Sequence, residues 1–232
     1  QYHATAAWMA TELFAEGGWN NFGIAVDSKW RLFTGSNGGV IGEHYVQGGY
    51  YRKNWGKHGE LTNPYAFGWL KTMTDHSSRL KLSQAMTFCA DQSWPESFQG
   101  QLFVARVLQR RIDLCELRPE GSTYSAHELR TVVKTSDPHF RPVDLKLGPD
   151  GAIYIADWHE PNVNWNTTAG GNPPNKASGR IYRLKPTQPT QPLSTFQNYA
   201  TASPDQLLAL LDHPNQWHRE TARRLLRERS DS

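Results

Sequence analysis

The sequence has no uninterrupted run of eighteen apolar residues, so we expect no transmembrane segment. It lacks Cys-x-x-Cys-His, which excludes covalently attached c-type haem, and Gly-x-Ser-x-Gly, which argues against a serine hydrolase of that kind. It also lacks the metal-binding pattern His-Glu-x-x-His and a phosphate-binding Gly-Lys-Ser/Thr loop. The net charge is only +3 over 232 residues, which argues against a nucleic-acid partner.

Cysteine is also scarce, and we predict that Cys89 and Cys115 are free, buried thiols. Both lie in strand-like runs, and a third such run at 101–106 separates them. In a meander of these three strands the two cysteines would be about 9–10 Å apart. A disulfide requires Cα atoms within about 7 Å of each other, so none is expected.

An initiator methionine and a signal segment are absent as well, because the chain begins at Gln1. We therefore expect the sequence to be processed or to be a piece of a longer protein. What the chain has in abundance is nine each of Trp, Tyr and Phe, together with 19 Gly and 14 Pro. Such a composition is typical of many short strands joined by tight turns.

An internal repeat supports that prediction. Arg-Leu-Phe-Thr-Gly-Ser at 31–36, Gln-Leu-Phe-Val-Ala-Arg at 101–106 and Ala-Ile-Tyr-Ile-Ala-Asp at 152–157 resemble one another. An alternating strand and a polar turn precede the first and last copies, so each copy is predicted to be the second strand of a hairpin. The turn before the last copy, Gly-Pro-Asp-Gly at 148–151, is a strong turn sequence.

The spacing of the copies favours a propeller. They begin 70 and 51 residues apart, which suits four-stranded blades with insertions. Further strands are predicted at 111–118, 124–134 and 179–184. The insertions at 40–74 and 159–178 are predicted to be long loops, where binding sites commonly lie.

The composition changes near residue 186, and we predict three regions: a β domain over 1–186, a Pro/Thr/Gln linker over 187–202 and a helical hairpin over 203–232. Ser203 is a predicted N-cap, with Pro204 at the first helical position. The second helix is predicted over 216–229. Its arginines are expected to form a solvated face.

Several longer stretches carry a family resemblance; they lie at 43–51, 56–59, 63–68, 140–151, 154–158 and 179–183. They resemble the membrane-bound dehydrogenase propellers of planctomycete-type bacteria, which are relatives of the soluble quinoprotein sugar dehydrogenases. The closing residues 212–229 are similar to the HEAT-type repeats that follow the propeller in that family. The resemblance covers nearly the whole chain.

The resemblance implies a mainly β fold. We expect about three four-stranded blades, the C-terminal half of a six-bladed propeller, followed by a short HEAT-like α-helical hairpin. Three blades alone would leave open inner edges, so the expected partner is the remainder of the propeller or a completing chain. The family also implies pyrroloquinoline quinone (PQQ) and Ca²⁺ as cofactors, with a cytochrome c as electron acceptor.

The same resemblance implies particular site residues. Asn20 and Arg141 match quinone-binding positions, whereas Val143 and Leu108 stand where the family has cations. Glu43 matches a carboxylate position and is a candidate Ca²⁺ ligand. The alternative for Arg141 is a salt bridge between blades, with Asp144 or Asp157.

Two segments offer further candidates, each with a plainer alternative. Asp157 is predicted to bind Ca²⁺ or substrate or to orient His159, and Trp158 to stack on a sugar; alternatively, the aspartate caps a turn and the tryptophan packs between blades. His44 is a candidate general base and Tyr45 a substrate contact. The imidazole would otherwise donate to a backbone carbonyl.

His159 is a second candidate catalytic histidine. Asn-Gly-Gly at 37–39 either presents carbonyl groups to Ca²⁺ or forms a simple turn.

Three functions remain open, the third being a purely architectural interaction module. The first is a segment of a quinoprotein-like sugar or polyol dehydrogenase, in the periplasm, secreted or associated with the envelope, whose catalytic base lies on the other half of the ring. The second is a non-catalytic propeller that binds carbohydrate or protein through aromatic loops and recruits a partner through its HEAT array. A quinone that carries several carboxylates needs convergent Arg or Lys side chains, so the cationic positions distinguish the first two functions.

Overall fold

Strands dominate the computed structural model, which describes residues 12–36, 41–53, 64–76, 83–161, 178–195 and 197–230. Thirteen strands are present in the described residues: β1 (Asn21–Val26), β2 (Leu32–Ser36), β3 (His44–Tyr45), β4 (Gly49–Tyr51), β5 (Gly68–Leu70), β6 (Thr74–Asp75), β7 (Ser83–Phe88), β8 (Leu102–Arg106), β9 (Arg111–Glu120), β10 (Thr123–Lys134), β11 (Pro142–Leu147), β12 (Ile153–Asp157) and β13 (Arg180–Leu184). The helices are α1 (Pro204–Ala209) and α2 (Gln216–Ser230), with one 3₁₀ turn (Leu210–Asp212) between them. None of these described helices is long and apolar enough to cross a membrane.

The three copies of the repeat form β2, β8 and β12, and each is the second strand of an antiparallel hairpin, as predicted. The 148–151 turn closes the third hairpin. Its Gly151 has a positive φ of 74° and donates to the carbonyl of Gly148, a conformation that suits glycine.

The hairpins belong to three blades. Blade 1 contains β1, β2 and β3; blade 2 is the four-stranded meander of β7, β8, β9 and β10; blade 3 contains β11, β12 and β13. A single pairing of Ser36 with Ser83 joins blades 1 and 2, and β6 pairs in parallel with the outer strand β10. Among the described residues, only the middle blade has four strands in an unbroken meander.

The first strands of the blades lie side by side. Strand β7 contacts both β1 and β11, so the first strand of the middle blade adjoins the first strands of the other two blades. This arrangement confirms the predicted partial β-propeller. The prediction that the complete ring has six blades remains a prediction.

Two apolar layers hold the blades together, and β8 contributes to both because its side chains alternate. Phe103 and Ala105 pack with blade 3 through Phe140, whereas Leu102 and Val104 pack with blade 1. Burial on both faces explains why this strand reads as a continuous apolar run. A fully buried side chain of this size contributes roughly 1.5–3 kcal/mol.

The two cysteines belong to these layers, Cys89 between blades 2 and 3 and Cys115 between blades 1 and 2. Both are free and buried, as predicted. Cys89 follows the last residue of β7, and Cys115 lies two strands away in β9.

The helical hairpin begins as predicted. Ser203 caps α1 with a full capping box that includes Gln206, and Pro204 occupies the first turn. The break between the helices falls at residues 213–215. The membership of this hairpin in a HEAT array and the proposed domain boundaries stay predictions.

Helix α2 docks at the end of the blades that carries the first turn of each hairpin. Gln216 donates to the carbonyl oxygens of Ala90, at 2.9 Å, and Val26, at 3.3 Å. Asn215 and His218 bond the turn of blade 3 through the carbonyl oxygens of Gly148, at 2.9 Å, and Pro149, at 2.7 Å. The N-terminus of α2 thus contacts all three blades at this end.

Candidate functional site

The opposite end of the three hairpins is polar. There the first strands begin and the second strands end, and the register pairs Asn21 with Ser36, Ser83 with Arg106 and Pro142 with Asp157. We call this the polar end. The last residues of the three second strands, Ser36, Arg106 and Asp157, are all buried. Buried polar side chains at equivalent positions of the three described blades mark this end as the candidate site.

Arg141 precedes β11 at the polar end and is 6% exposed. Its guanidinium donates to the carbonyl oxygens of Phe140 and Pro161, and its buried Nε has no hydrogen-bond partner among the described residues. Burial and the nearby guanidinium of Arg110 lower the pKa of Arg141, while Asp157 acts in the opposite direction. Arg141 is therefore a buried cation that can bind an anion.

The expected alternative for Arg141, a salt bridge with Asp144 or Asp157, is wrong. Asp157 instead accepts the backbone N–H of Arg141 at 2.7 Å and that of His159 at 2.9 Å, both through Oδ1. Asp144 lies on β11 and pairs with Lys146 at 3.0 Å. Because its Oδ1 accepts both backbone N–H groups, Asp157 fixes the conformation of the chain at Arg141 and at His159.

The second oxygen of Asp157 is available. Its Oδ2 is buried and has no hydrogen-bond partner among the described residues. A buried carboxylate oxygen beside an incompletely satisfied arginine is a polar environment that favours a ligand.

Glu43 is fully buried in blade 1. Thr34 Oγ1 donates to its Oε2 at 3.1 Å, and no ion pair with a cation occurs among the described residues. Burial raises the pKa of Glu43 to about 7, although hydrogen bonds from Thr34, Asn21 and the backbone of Trp19 act in the opposite direction. A carboxyl group in this environment gains from a bound cation, which fits its predicted role as a Ca²⁺ ligand.

Tyr45 and Asn21 complete the group around Glu43. The Tyr45 hydroxyl donates to the carbonyl of Gly17 at 2.8 Å and accepts a hydrogen bond from the Asn21 amide. Burial raises the pKa of Tyr45 above its usual value, so the phenol stays protonated. Asn20 precedes β1 at the same end; it is exposed and has a left-handed backbone with φ of 95°.

His44 points to the other face of blade 1. Its ring stacks on Phe33, with ring centroids 5.1 Å apart, and meets Tyr124 of blade 2 edge to face. Burial and the charge of Arg31 lower the pKa of His44, so the neutral imidazole is favoured. Glu43 and His44 are neighbours in sequence, but their side chains have different partners: Glu43 bonds Thr34, whereas His44 packs on two aromatic rings.

The segment after Asp157 carries the remaining candidates. Trp158 is 49% exposed, and its backbone N–H donates to the carbonyl of Arg141 at 2.9 Å. His159 is buried, with its Nε2 3.3 Å from a carboxylate oxygen of Asp137.

The Glu43 group belongs to blade 1 and the Arg141 group to blade 3, with blade 2 between them. Residues 37–39, a suggested source of carbonyl ligands, lie outside the described residues.

Blade 2 contributes a charged residue that sequence reasoning missed. Arg106 is fully buried, and its guanidinium contacts Asp75 at 3.1 Å, Asp113 at 3.2 Å and Ser83 at 2.5 Å, while Nη2 has no partner among the described residues. The sequence signal was its place at the end of the second repeat copy. Arg106 lies two residues before Leu108, where a cation was expected.

A family model described as "Domain of unknown function (DUF7133)" matches residues 4–188 of the sequence. No curated protein matches the sequence significantly. The match covers the β domain and most of the residues discussed above.

Solved structures resemble the fold at low identity. A Thermus thermophilus protein described as a glucose dehydrogenase matches at 20% identity and a TM-score of 0.50, over 75% of this chain and 47% of the other. The Escherichia coli soluble aldose sugar dehydrogenase matches at 18% identity and a TM-score of 0.42. The match covers 66% of this chain and 46% of the other. The Streptomyces coelicolor aldose sugar dehydrogenase in PQQ-bound form matches at 15% identity and a TM-score of 0.41. The match covers 78% of this chain and 47% of the other.

The chain therefore spans about half the length of these structures. The Thermus structure supports the propeller fold, and identities this low carry the fold alone.

Proposed function

The chain belongs to the family described as Domain of unknown function (DUF7133), and this description gives no activity. We therefore propose a function from the fold and from the residues of the polar end. We propose that it is half of a quinoprotein-like sugar or polyol dehydrogenase propeller, which binds an anionic quinone cofactor and Ca²⁺. The other half of the ring and a cytochrome c acceptor complete the proposal. A periplasmic or envelope-associated location would accompany such an electron-transfer role.

One observation carries this proposal: Arg141 is a buried arginine whose Nε has no hydrogen-bond partner and whose guanidinium forms no ion pair within the described residues. Burying a guanidinium costs free energy unless hydrogen bonds and an opposite charge compensate. The positive charge of Arg110 also lowers the pKa of Arg141, which adds to the cost of burying this guanidinium. A carboxylate of PQQ fits this environment, because arginine binds carboxylates with paired hydrogen bonds.

The residues for Ca²⁺ also fit in chemical type. Glu43 supplies a buried carboxyl group without a cation among the described residues, and Asp157 Oδ2 is a buried oxygen without a donor there. Both are hard oxygen ligands of the kind that Ca²⁺ prefers. The two belong to different blades, so each is a separate candidate ligand.

The chemistry divides between cofactor and protein. A bound ortho-quinone supplies an acceptor for the two electrons of alcohol oxidation. The described residues would bind and orient: Arg141 holds an anionic group, Asp157 fixes the backbone beside it, and Trp158 presents a half-exposed aromatic face suited to a sugar. In this proposal the base that takes the hydroxyl proton comes from the other half of the ring.

The test is a PQQ titration of the full-length protein with and without Ca²⁺, followed by absorbance and by sugar-dependent dye reduction. We expect saturable binding that Ca²⁺ strengthens, and Arg141→Gln should weaken it by roughly 10- to 100-fold, because a charged hydrogen bond is worth about 1.5–3 kcal/mol. Arg118→Gln is the matched control, since Arg118 is exposed and pairs only with Glu116 in the described residues. No binding, or equal binding by Arg141→Gln, would refute the proposal.

A second function is favoured by a separate observation. Tyr65 lies in a turn, Phe67 follows it and Trp69 lies in β5; the three rings are 84%, 62% and 61% exposed. Three exposed aromatic rings within five residues suit stacking on a carbohydrate. We propose glycan binding there as the alternative. Calorimetry with oligosaccharides should then detect binding that Trp69→Ala removes and Arg141→Gln leaves intact.

A further inference from the structure

Two imidazoles and a carboxylate converge beside the polar end. Asp137, His139 and His159 place one ligand atom each within 4.8 Å of the other two. His139 Nδ1 lies 3.3 Å from Asp137 Oδ1, and His159 Nε2 lies 3.3 Å from Asp137 Oδ2. Neighbouring ligands of a tetrahedral Zn²⁺ with bonds near 2.0–2.2 Å are separated by about the same distance.

The cluster is held in place by bonds that involve the backbone. The backbone N–H of His139 donates to Asp137 Oδ1 at 2.9 Å, which fixes that carboxylate. His159 is held through its own backbone N–H by Asp157 and has a left-handed φ of 55°. A backbone conformation that is unfavourable for a non-glycine residue persists only where its surroundings impose it.

Burial adds a second observation. His159 is 8% exposed, and its Nδ1 is buried with no hydrogen-bond partner among the described residues. Asp137 lies between the two imidazoles, with a carboxylate oxygen 3.3 Å from a ring nitrogen of each. One carboxylate and two imidazoles are a suitable donor set for a metal ion.

We propose that Asp137, His139 and His159 form a binding site for a first-row divalent transition-metal ion, with Zn²⁺ as the representative ion. Two imidazoles and one carboxylate select such metals over Ca²⁺, which prefers oxygen ligands. Three protein ligands leave one coordination position open to water or to a bound ligand. The proposal does not depend on the proposed quinone function, because none of the three metal ligands is assigned to quinone binding.

The metal site and the polar end share one positioning residue, Asp157. Asp157 Oδ1 accepts the backbone N–H groups of both Arg141 and His159, so one carboxylate positions a metal ligand and the anion-binding arginine. The rings of His139 and His159 stack on each other, with centroids 5.1 Å apart, so the two proposed imidazole ligands are in contact.

Arg180 provides an internal test of this assignment. Its Nη1 donates to Asp137 Oδ2 at 3.2 Å and therefore competes with a metal for that oxygen. Removing this positive charge should tighten metal binding. A cluster that serves only as a network of ion pairs would instead be weakened by the same change.

The experiment titrates the metal-free full-length protein with Co²⁺, measures the visible absorption of the bound ion, and displaces it with Zn²⁺. We expect one ion per chain. His139→Gln and His159→Gln should each weaken binding roughly tenfold or more, and Arg180→Gln should strengthen it. His139 is exposed enough for its substitution to leave packing intact, which keeps the test valid if His159→Gln folds poorly.

The control is His127→Gln. His127 stacks on His76 with ring centroids 4.5 Å apart, and Glu120 lies 3.9 Å from His76, so this is a second pair of histidines near a carboxylate. Binding should be unchanged in this variant. The proposal is overturned if no saturable binding occurs, if His139→Gln binds like the native protein, or if His127→Gln weakens binding equally.

Discussion

Glu43 is a carboxyl group in an environment that favours its neutral form. It is fully buried, its nearest donors are neutral, and the pKa is raised to about 7. Between pH 4.5 and 7 the folded protein therefore binds more protons at this residue than the unfolded chain does. The stabilising contribution of this proton is complete below about pH 4.5 and is lost as the pH rises through 7.

Replacing Glu43 by Gln should remove this pH dependence. Relative to Glu43→Gln, the native protein should lose about 3 kcal/mol of unfolding free energy between about pH 5 and about pH 8. Urea unfolding of both proteins at several pH values measures the difference. If Ca²⁺ binds Glu43, adding Ca²⁺ at the alkaline end of this range should stabilise the native protein but not the variant. Parallel pH profiles for the two proteins would contradict the assignment.

Asp157 acts through its backbone donors, and this too can be tested at a single residue. Asp157→Ala leaves two buried N–H groups, those of Arg141 and His159, without an acceptor. We expect a loss of about 2–4 kcal/mol in unfolding free energy, and faster hydrogen exchange at both amides. Asp144→Ala, at a more exposed site on the same blade, should change stability by less than about 1 kcal/mol. Unchanged exchange at both amides would show that the carboxylate is not the anchor.

Hairpins could be predicted from the sequence because their information is local. The Gly-Pro-Asp-Gly turn at 148–151 and the apolar alternation of the repeat copies dictate β11 and β12 directly. The N-cap Ser203 is equally local, because a capping box spans only about four residues.

The site could be predicted only in part, because its contacts join distant segments. Arg106 reads as the last residue of a strand, and its partners Asp75 and Asp113 become visible only when the blades assemble. His139 and His159 are twenty residues apart on either side of a hairpin, so they form no short metal-binding sequence motif. The burial of Glu43 likewise depends on tertiary packing.

At the scale of elements, Gly42 governs how β3 meets β2. It has φ of 148°, and a Cβ there would lie 1.6 Å from the carbonyl oxygen of Thr34. The close approach lets Thr34 donate its backbone N–H to the carbonyl of Glu43 at 2.9 Å. The glycine thereby places Glu43 beside the Thr34 hydroxyl.

Gly42→Ala should therefore destabilise the protein by about 3 kcal/mol or more, since backbone atoms must move. Gly121→Ala is the matched control: its φ of 61° is also positive, but no atom lies within 4 Å of an added Cβ. That change should cost only about 1–2 kcal/mol of backbone strain. Thermal or urea unfolding compares the two, and equal losses would show that contact with Thr34 is unimportant.

At the scale of the whole molecule, two apolar layers and one helix join the blades. Cys89 reports on the layer between blades 2 and 3, and Cys115 on the layer between blades 1 and 2. Burial raises the pKa of Cys89 and raises that of Cys115 to about 12, so neither thiol is reactive in the folded state.

Thiol labelling in increasing urea should consequently modify both cysteines at one midpoint, the midpoint of global unfolding measured by tryptophan fluorescence. The common midpoint is expected because blade 2 contributes to both layers through β8. Mass spectrometry of labelled peptides distinguishes the two sites. Earlier labelling of one cysteine would mean that one outer blade detaches independently.

The docking of α2 on all three hairpin turns has a consequence for biosynthesis. Gln216 and its acceptor Val26 are separated by 190 residues, so a ribosome adding about 5–20 residues per second completes that bond roughly 10 to 40 s after Val26 is made. During this interval the blades emerge with their turn carbonyls facing solvent. The hydrogen bond between α2 and blade 1 therefore forms only after the ribosome has synthesised all three blades.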